Sequence, residues 1–195
     1  MQPSDTENLA LAVHEKQAGA FERLVEQYES NLFNYAQRIL DNRFDAQEVV
    51  QDAFLRAHDA LTRQYDRGRS GALALRPWLF RIVRNLAFNK RRGAKSKLNE
   101  LLSSFDDGRI GPLVPPSSVT APVEEREERA ALERAISMLP PESRELIVLR
   151  FMEEMSYAEI SEAVGLEESV LRGRVFRSLK LLREALSHHE VSHAM

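Results

Sequence analysis

Two stretches of the sequence concentrate cations with no acid among them. Eight basic residues stand between Arg76 and Lys97 (Arg76, Arg81, Arg84, Lys90, Arg91, Arg92, Lys95 and Lys97), and five between Val170 and Arg183 (Arg172, Arg174, Arg177, Lys180 and Arg183). Such clusters do polyanion chemistry. They neutralise phosphates, and the arginine fork matches two acceptors on the guanine edge in a DNA major groove. In the first stretch Arg81, Asn85, Asn89 and Arg92 recur three or four residues apart, the spacing of one helix face. Asparagine can pair with bases and arginine can hold phosphate. Acids gather elsewhere, from Asp41 to Asp52, Glu124 to Glu133 and Glu142 to Glu168, and the net charge is −3. Two basic islands in an acidic chain point to two polyanion contacts and to other surfaces for a different partner.

Chemistry that makes or breaks bonds has no visible apparatus. The Gly-x-x-x-x-Gly-Lys-Ser/Thr phosphate loop is absent, and so is cysteine, which excludes disulfides and thiolate metal sites. His189 and His193 have i, i+4 spacing beside His188, but Glu190 is the only nearby carboxylate, too few ligands for a zinc site. His14 and His58 read as surface residues. An enzyme is not expected, nor a cofactor or metal. Hydrophobic content of 43% and charged content of 29% fit a folded chain. No apolar run reaches the length of about eighteen residues that spans a membrane, and the segment Met1–Ala10 carries Asp5 and Glu7 with no export pattern. A cytoplasmic location without membrane insertion is expected.

The elements that must position these residues read as helices. Phe21, Leu24, Val25, Tyr28, Leu32, Tyr35, Ala36, Ile39 and Leu40 recur at helical spacing, as do Ala46, Val49, Val50, Ala53, Phe54, Ala57, Ala60 and Leu61. The second run opens with Asp45-x-x-Glu48, a helix-start pattern, and Phe54 reads as core. Asp66–Gly71 is a break with two glycines. A third helix starts near Pro77 and carries Trp78, Leu79, Ile82, Val83 and Leu86 inward.

Helical patterning fades from Leu98 to Val123, where Pro112, Pro115, Pro116 and Pro122 mark a linker. The domain reading is therefore a module over 1–97, a linker over 98–123 and a module over 124–195. In the second module Leu132, Ile136 and Leu139 line one helix and Leu146, Ile147 and Leu149 the next. No segment alternates with period two, so the fold class is all-α, two small helical modules. Ser156 and Glu159 form a Ser-x-x-Glu capping box, Ala158 is small enough for a close helix crossing, and Gly165 can turn the chain at positive φ. A further helix follows from about Glu167, with Leu171, Val175, Leu179, Leu182 and Leu186 on one arc and the arginines outside it. This is a helix-turn-helix pattern, whose second helix enters the major groove.

These motifs resemble the extracytoplasmic-function sigma factors of bacterial RNA polymerase. Leu139-Pro140, Arg144–Phe151, Ser156–Ile160 and Leu171–Arg177 look like the family's region 4. Asp45–Phe54 resembles region 2.2, and Pro77–Ala87 resembles regions 2.3 and 2.4. The resemblance covers nearly the whole chain in the family's order. It implies that Asp45, Glu48, Gln51 and Asp52 dock on the β′ coiled coil of core RNA polymerase. It implies minus-ten promoter DNA contacts from Trp78, Arg81, Arg84, Asn85, Asn89, Lys90, Arg91 and Arg92, with the loop from Gln64 to Leu75 forming a pocket for a flipped base. Trp78 is open to two readings, stacking on DNA or packing in the core. It implies minus-thirty-five contacts from Arg172, Gly173, Arg174, Phe176, Arg177 and Lys180, while the same module touches the polymerase β flap. Departures stand at Gly173, where serine is common, at Val170, where threonine is common, and at Leu179 in place of arginine. Glu167 and Glu168 put negative charge at the helix start. Phe105, Asp106 and Asp107 of the linker either thread a polymerase channel near the RNA path or belong to a plain tether. An anti-sigma factor is a further implied partner. Two other readings are a conventional helix-turn-helix regulator, which would not need the first basic helix or the acidic one, and a sigma-like decoy that traps a regulator.

Overall fold

The computed structural model describes residues 8–102 and 123–193, and every regular element among them is helical. The N-terminal module comprises α1 (Leu9–His14), α2 (Ala20–Leu40), α3 (Arg43–Asp59), α4 (Arg67–Gly71) and α5 (Leu75–Leu102). The C-terminal module comprises α6 (Val123–Met138), α7 (Pro141–Ile147), α8 (Tyr157–Val164) and α9 (Glu168–His193). Helices α3 and α7 each end in a wider π-helical turn, Ala60–Gln64 and Val148–Met152. Most of the expected linker, with Phe105, Asp106 and Asp107, lies outside the described residues, as do the side chains of His188, His189 and His193. Helix α5 runs to Leu102, past the point near Leu98 where the pattern of apolar residues fades.

Local side-chain bonds set the helix starts, and two differ from the expected positions. Helix α3 opens before Asp45, because Asn42 Oδ1 accepts from the amides of Phe44 (2.9 Å) and Asp45 (3.2 Å). The glycine-rich break is a helical turn, α4, held by Asp66 Oδ1 accepting from Arg69 N at 2.7 Å. The capping box forms as read. Glu159 N donates to Ser156 Oγ at 3.2 Å and Ser156 N donates to Glu159 Oε2 at 2.8 Å. Such a cap is worth about 1 kcal/mol. Gly165 closes α8 at φ 74°, a conformation that costs a side-chain-bearing residue energy. Ala158 is exposed; Ile160 and Ala163 are the buried residues of α8.

Helices α2, α3 and α5 form a bundle around Leu24, Leu32, Tyr35, Ile39, Val50, Ala53, Leu79, Phe80 and Val83. Tyr35 and Phe80 meet edge to face at 5.2 Å. The same apolar cluster continues into Leu149, Met155, Ile160, Leu171 and Val175 of the C-terminal module, so the two modules share a core. A smaller cluster of Ala135, Ile136, Leu139, Ile147 and Leu182 ties α6 to α7 and α9. Leu132 stays 38% exposed. On α9, Leu171, Val175 and Leu182 are buried as the arc predicts, but Ser178 takes the inner position and Leu179 is 39% exposed. At about 100° per residue Leu179 lies about 80° round from Leu171 and Ser178 only about 20° on the other side, so a small residue joins the buried stripe in its place.

Candidate nucleic-acid interface

Helix α5 presents two faces with different surroundings. One lines a cavity of about 530 Å³ with Trp78, Ile82, Asn85, Leu86 and Asn89; the opposite wall comes from Leu55, Arg56 and Asp59 of α3 and from Ala60, Gln64 and Tyr65. Aromatic rings and amides around one open cavity suit a nucleobase, which offers a π face and hydrogen-bonding edges. Trp78 is half-buried and its Nε1 donates to Tyr65 Oη at 3.2 Å, so it is neither wholly core nor free. Of the four residues expected on one face, Asn85 and Asn89 line the cavity and the Arg92 guanidinium donates to Asn89 Oδ1. Arg81 sits at the edge of that face and its guanidinium donates to the Glu162 carbonyl of α8.

The other face of α5 is engaged by the C-terminal module. Arg84 Nε donates to Glu145 Oε1 at 2.7 Å, and Tyr35 Oη donates to the same oxygen at 2.7 Å. Glu145 is 2% exposed. Burial pushes its pKa up, against the pull of Arg84 and the Tyr35 hydroxyl, and burial also pushes the Tyr35 hydroxyl well up. Arg76 donates to the Glu153 carbonyl and lies 3.6 Å from Glu159 Oε1. Asn31 Nδ2 donates to Glu153 Oε2 at 2.7 Å. In the reverse direction Arg144 Nη1 reaches the Arg38 carbonyl (2.7 Å) and Asp41 Oδ2 (2.9 Å). Arg38 Nη2 donates to Glu133 Oε1 at 3.0 Å. In the sequence Glu145 is one acid of the Glu142–Glu168 cluster and nothing sets it apart. Its burial comes from contacts far apart in sequence, for which no local signal exists.

The expected docking face and the end of α5 also meet. Lys90 Nζ lies 2.8 Å from Glu48 Oε2 and 3.2 Å from Asp45 Oδ1, which raises its pKa, chiefly through the bond to Glu48. Arg91 Nη1 donates to the Ile39 carbonyl at 3.0 Å. Asp52 pairs with Arg56 at 3.1 Å, and Gln51 is exposed. Phe54 is buried, while Phe44 and Leu55 on the same helix are 82% and 70% exposed.

On α9 the outer face carries Arg172, Arg174, Phe176, Arg177 and Lys180, all exposed. Arg172 is partly committed, with its Cζ 4.5 Å from the Tyr157 ring centroid and its guanidinium 3.7 Å from Glu168. Lys180 lies 4.0 Å from Glu184. A Cβ at Gly173 would come 3.9 Å from the Arg177 guanidinium, ordinary contact, so nothing in the packing demands glycine there. Phe176 is 71% exposed, an apolar ring among arginines. Among the described residues no cluster of potential ligands could hold a metal ion, and no helix is long and apolar enough to cross a membrane.

Comparison with known proteins agrees with this two-part layout. The sigma-70 region 2 family model matches residues 24–97 and the sigma-70 region 4 model residues 129–182. The chain is 30% identical over 172 residues to the RNA polymerase sigma-H factor of Pseudomonas aeruginosa, covering 86% of each. It is 28% identical over 173 residues to the ECF RNA polymerase sigma factor SigE of Mycolicibacterium smegmatis, covering 87% of this chain and 63% of SigE. Among solved structures, that of CnrH in complex with the cytosolic domain of CnrY superposes with a TM-score of 0.65 and 26% identity, covering 92% of this chain and 96% of that one. The chain belongs to the extracytoplasmic-function (group IV) RNA polymerase sigma factors.

Proposed function

We propose that the protein joins core RNA polymerase, reads the minus-ten and minus-thirty-five promoter elements through its two modules, and promotes strand opening. The observation that carries this reading is the division of α5. Its amide face borders an open cavity that suits an extruded base, while Arg76, Arg81 and Arg84 are held by the C-terminal module. Single-stranded DNA can be read only where base edges are free, and an aromatic and amide cavity supplies stacking and hydrogen bonds. The outer face of α9 supplies Arg172, Arg174, Arg177 and Lys180 for duplex DNA, with Gly173 and Phe176 among them. Asp45, Glu48, Gln51 and Asp52 form the polymerase face, together with exposed Phe44 and Leu55. The C-terminal module also meets the β flap.

In the arrangement described here Arg76, Arg81 and Arg84 of α5 are engaged by the C-terminal module, so core polymerase acts by drawing the modules apart. An anti-sigma factor that favours the closed arrangement would keep the protein idle; CnrH, a structure of similar fold, was solved with the cytosolic domain of CnrY. Cytoplasmic action follows from this role, as does the absence of any catalytic step by the chain itself. The domain limits that serve it are 1–97, 98–123 and 124–195. Run-off transcription with purified core polymerase tests the reading. Promoter-specific transcripts are expected with the chain and none without it. Binding to duplex DNA with no transcript would favour a conventional regulator, and neither activity a decoy.

A further inference from the structure

The short helix α1 grips both ends of the chain segment that walls the cavity. On one side His14 Nδ1 lies 3.0 Å from the Leu61 carbonyl. A carbonyl only accepts, so Nδ1 carries the hydrogen. That carbonyl is available because the π turn routes Tyr65 N to the Ala60 carbonyl (2.9 Å) instead. On the other side Asn8 Nδ2 donates to the Gly71 carbonyl at 2.8 Å, and Glu15 Oε1 accepts from Arg67 Nε at 2.8 Å, both at α4. From α4 the chain of contacts runs back to the cavity. Arg69 Cζ lies 3.7 Å from the Tyr65 ring centroid and Tyr65 Oη accepts from Trp78. Tyr65 and Trp78 line the cavity and Arg69 does not, so the guanidinium backs the Tyr65 ring from outside.

We propose that α1 and Arg69 are a specificity brace: they fix the Tyr65 wall of the cavity, and so decide which extruded base the cavity accepts. The inference rests on the minus-ten reading of that cavity. The wall needs such a brace because Tyr65 is extended (φ −96°, ψ 144°) and stands between a π turn and the single helical turn α4, neither of which is rigid by itself. A stacking surface discriminates between bases only when its distance to the hydrogen-bonding groups opposite, here Asn85 and Asn89, is held constant. His14, Asn8 and Arg69 are thus positioning residues that touch no DNA. Flatness matters at Arg69, since a lysine keeps the charge and loses the plane that lies on the ring.

The test uses full-length chain with core polymerase and promoters carrying each of the four bases at each minus-ten position. His14→Ala and Arg69→Ala should change the ratio of initiation on the best and second-best base by on the order of tenfold at one position, the scale of one base–aromatic stack. Preference at minus-thirty-five should stay unchanged. His14→Asn, whose Nδ2 can replace the ring Nδ1–H, should restore the parental ratio, and Arg69→Lys should not. Arg69 is exposed, so Arg69→Ala decides the matter if His14→Ala fails to fold. Asn85→Ala serves as the reference. If Asn85→Ala alters minus-ten preference while Arg69→Ala and a folded His14→Ala leave it intact or lower all four bases alike, the brace is wrong and the cavity reading stands. If Asn85→Ala leaves the preference intact as well, the cavity reading fails and the brace with it.

Discussion

Glu145 of α7 and Arg84 of α5 form an ion pair of 2.7 Å across the two modules, with the carboxylate 2% exposed and the Tyr35 hydroxyl on the same oxygen. Two consequences follow. Arg84, an expected minus-ten residue, is unavailable to DNA while the pair stands. And the closed arrangement holds a buried charge whose two described partners, Arg84 and Tyr35, both lie on the other module.

Glu145→Ala should therefore open the molecule. Removing one member of a buried pair costs about 3–5 kcal/mol, because the remaining groups stay desolvated. The Arg84 side chain is 26% exposed, so the lower end of that range applies. The cost falls on the closed arrangement alone. Small-angle scattering should show a larger radius of gyration for the variant, with helicity retained. An unchanged radius would remove Glu145 from the closing device.

Closure should also respond to pH. The pKa of Glu145 is raised in the closed arrangement by burial, and that of Glu153 likewise, with Asn31, Arg76 and Arg38 pulling it back down. In the open arrangement both carboxyls return toward the ordinary value of 4.5. The closed form thus binds more protons between the two pKa values. Closure strengthens as pH falls through the raised pKa, is fully strengthened below the ordinary one, and weakens as pH rises. The distance between dyes placed on the two modules should shorten on going from about pH 8 to about pH 5. The double change Glu145→Gln and Glu153→Gln should abolish the trend, and a trend of opposite sign would contradict it.

Base reading by α9 should divide along the helix. Arg172→Ala or Arg177→Ala should cost about 1–3 kcal/mol on the cognate minus-thirty-five sequence and flatten preference at one or two base pairs. Lys180→Ala should weaken all sequences alike and lower the salt dependence. Transcription over single-base promoter variants checks this. Uniform loss for both arginine variants would leave them only a phosphate role.

Charge reversal on α3 should separate docking from folding. Asp52→Lys with Glu48→Lys breaks the exposed contacts to Arg56 and Lys90, which contribute at most about 1 kcal/mol each. The fold should survive and co-elution with core polymerase should weaken, as reversal on a docking face is costly. Undiminished co-elution would reject Asp45, Glu48, Gln51 and Asp52 as that face.

What the sequence made legible was local. The capping box of Ser156 and Glu159, the turn at Gly165 and the apolar stripe through Leu171, Val175 and Leu182 each depend on residues a few positions apart. The misreadings have two physical sources. At Asp45 and in the Asp66–Gly71 segment, caps by Asn42 and Asp66 start helices where glycines or a rival acid draw the eye. At Leu179, hydrophobicity outvoted the finer angular position that Ser178 fills. Of the candidate site, the basic and acidic clusters were legible and the surroundings of each side chain were not. That Lys90 is tied to Asp45 and Glu48, or that Arg84 meets Glu145, is decided by tertiary packing that no spacing encodes.

Promoter binding with and without core polymerase tests the central claim most directly. Each module alone would contact few phosphates, Arg76, Arg81 and Arg84 of α5 are engaged, and two weakly binding modules act together only when their separation is fixed. At physiological salt the isolated protein should bind promoter duplex poorly, and addition of core polymerase should yield tight binding that depends on both promoter elements. Tight, sequence-specific duplex binding by the isolated protein would contradict the account.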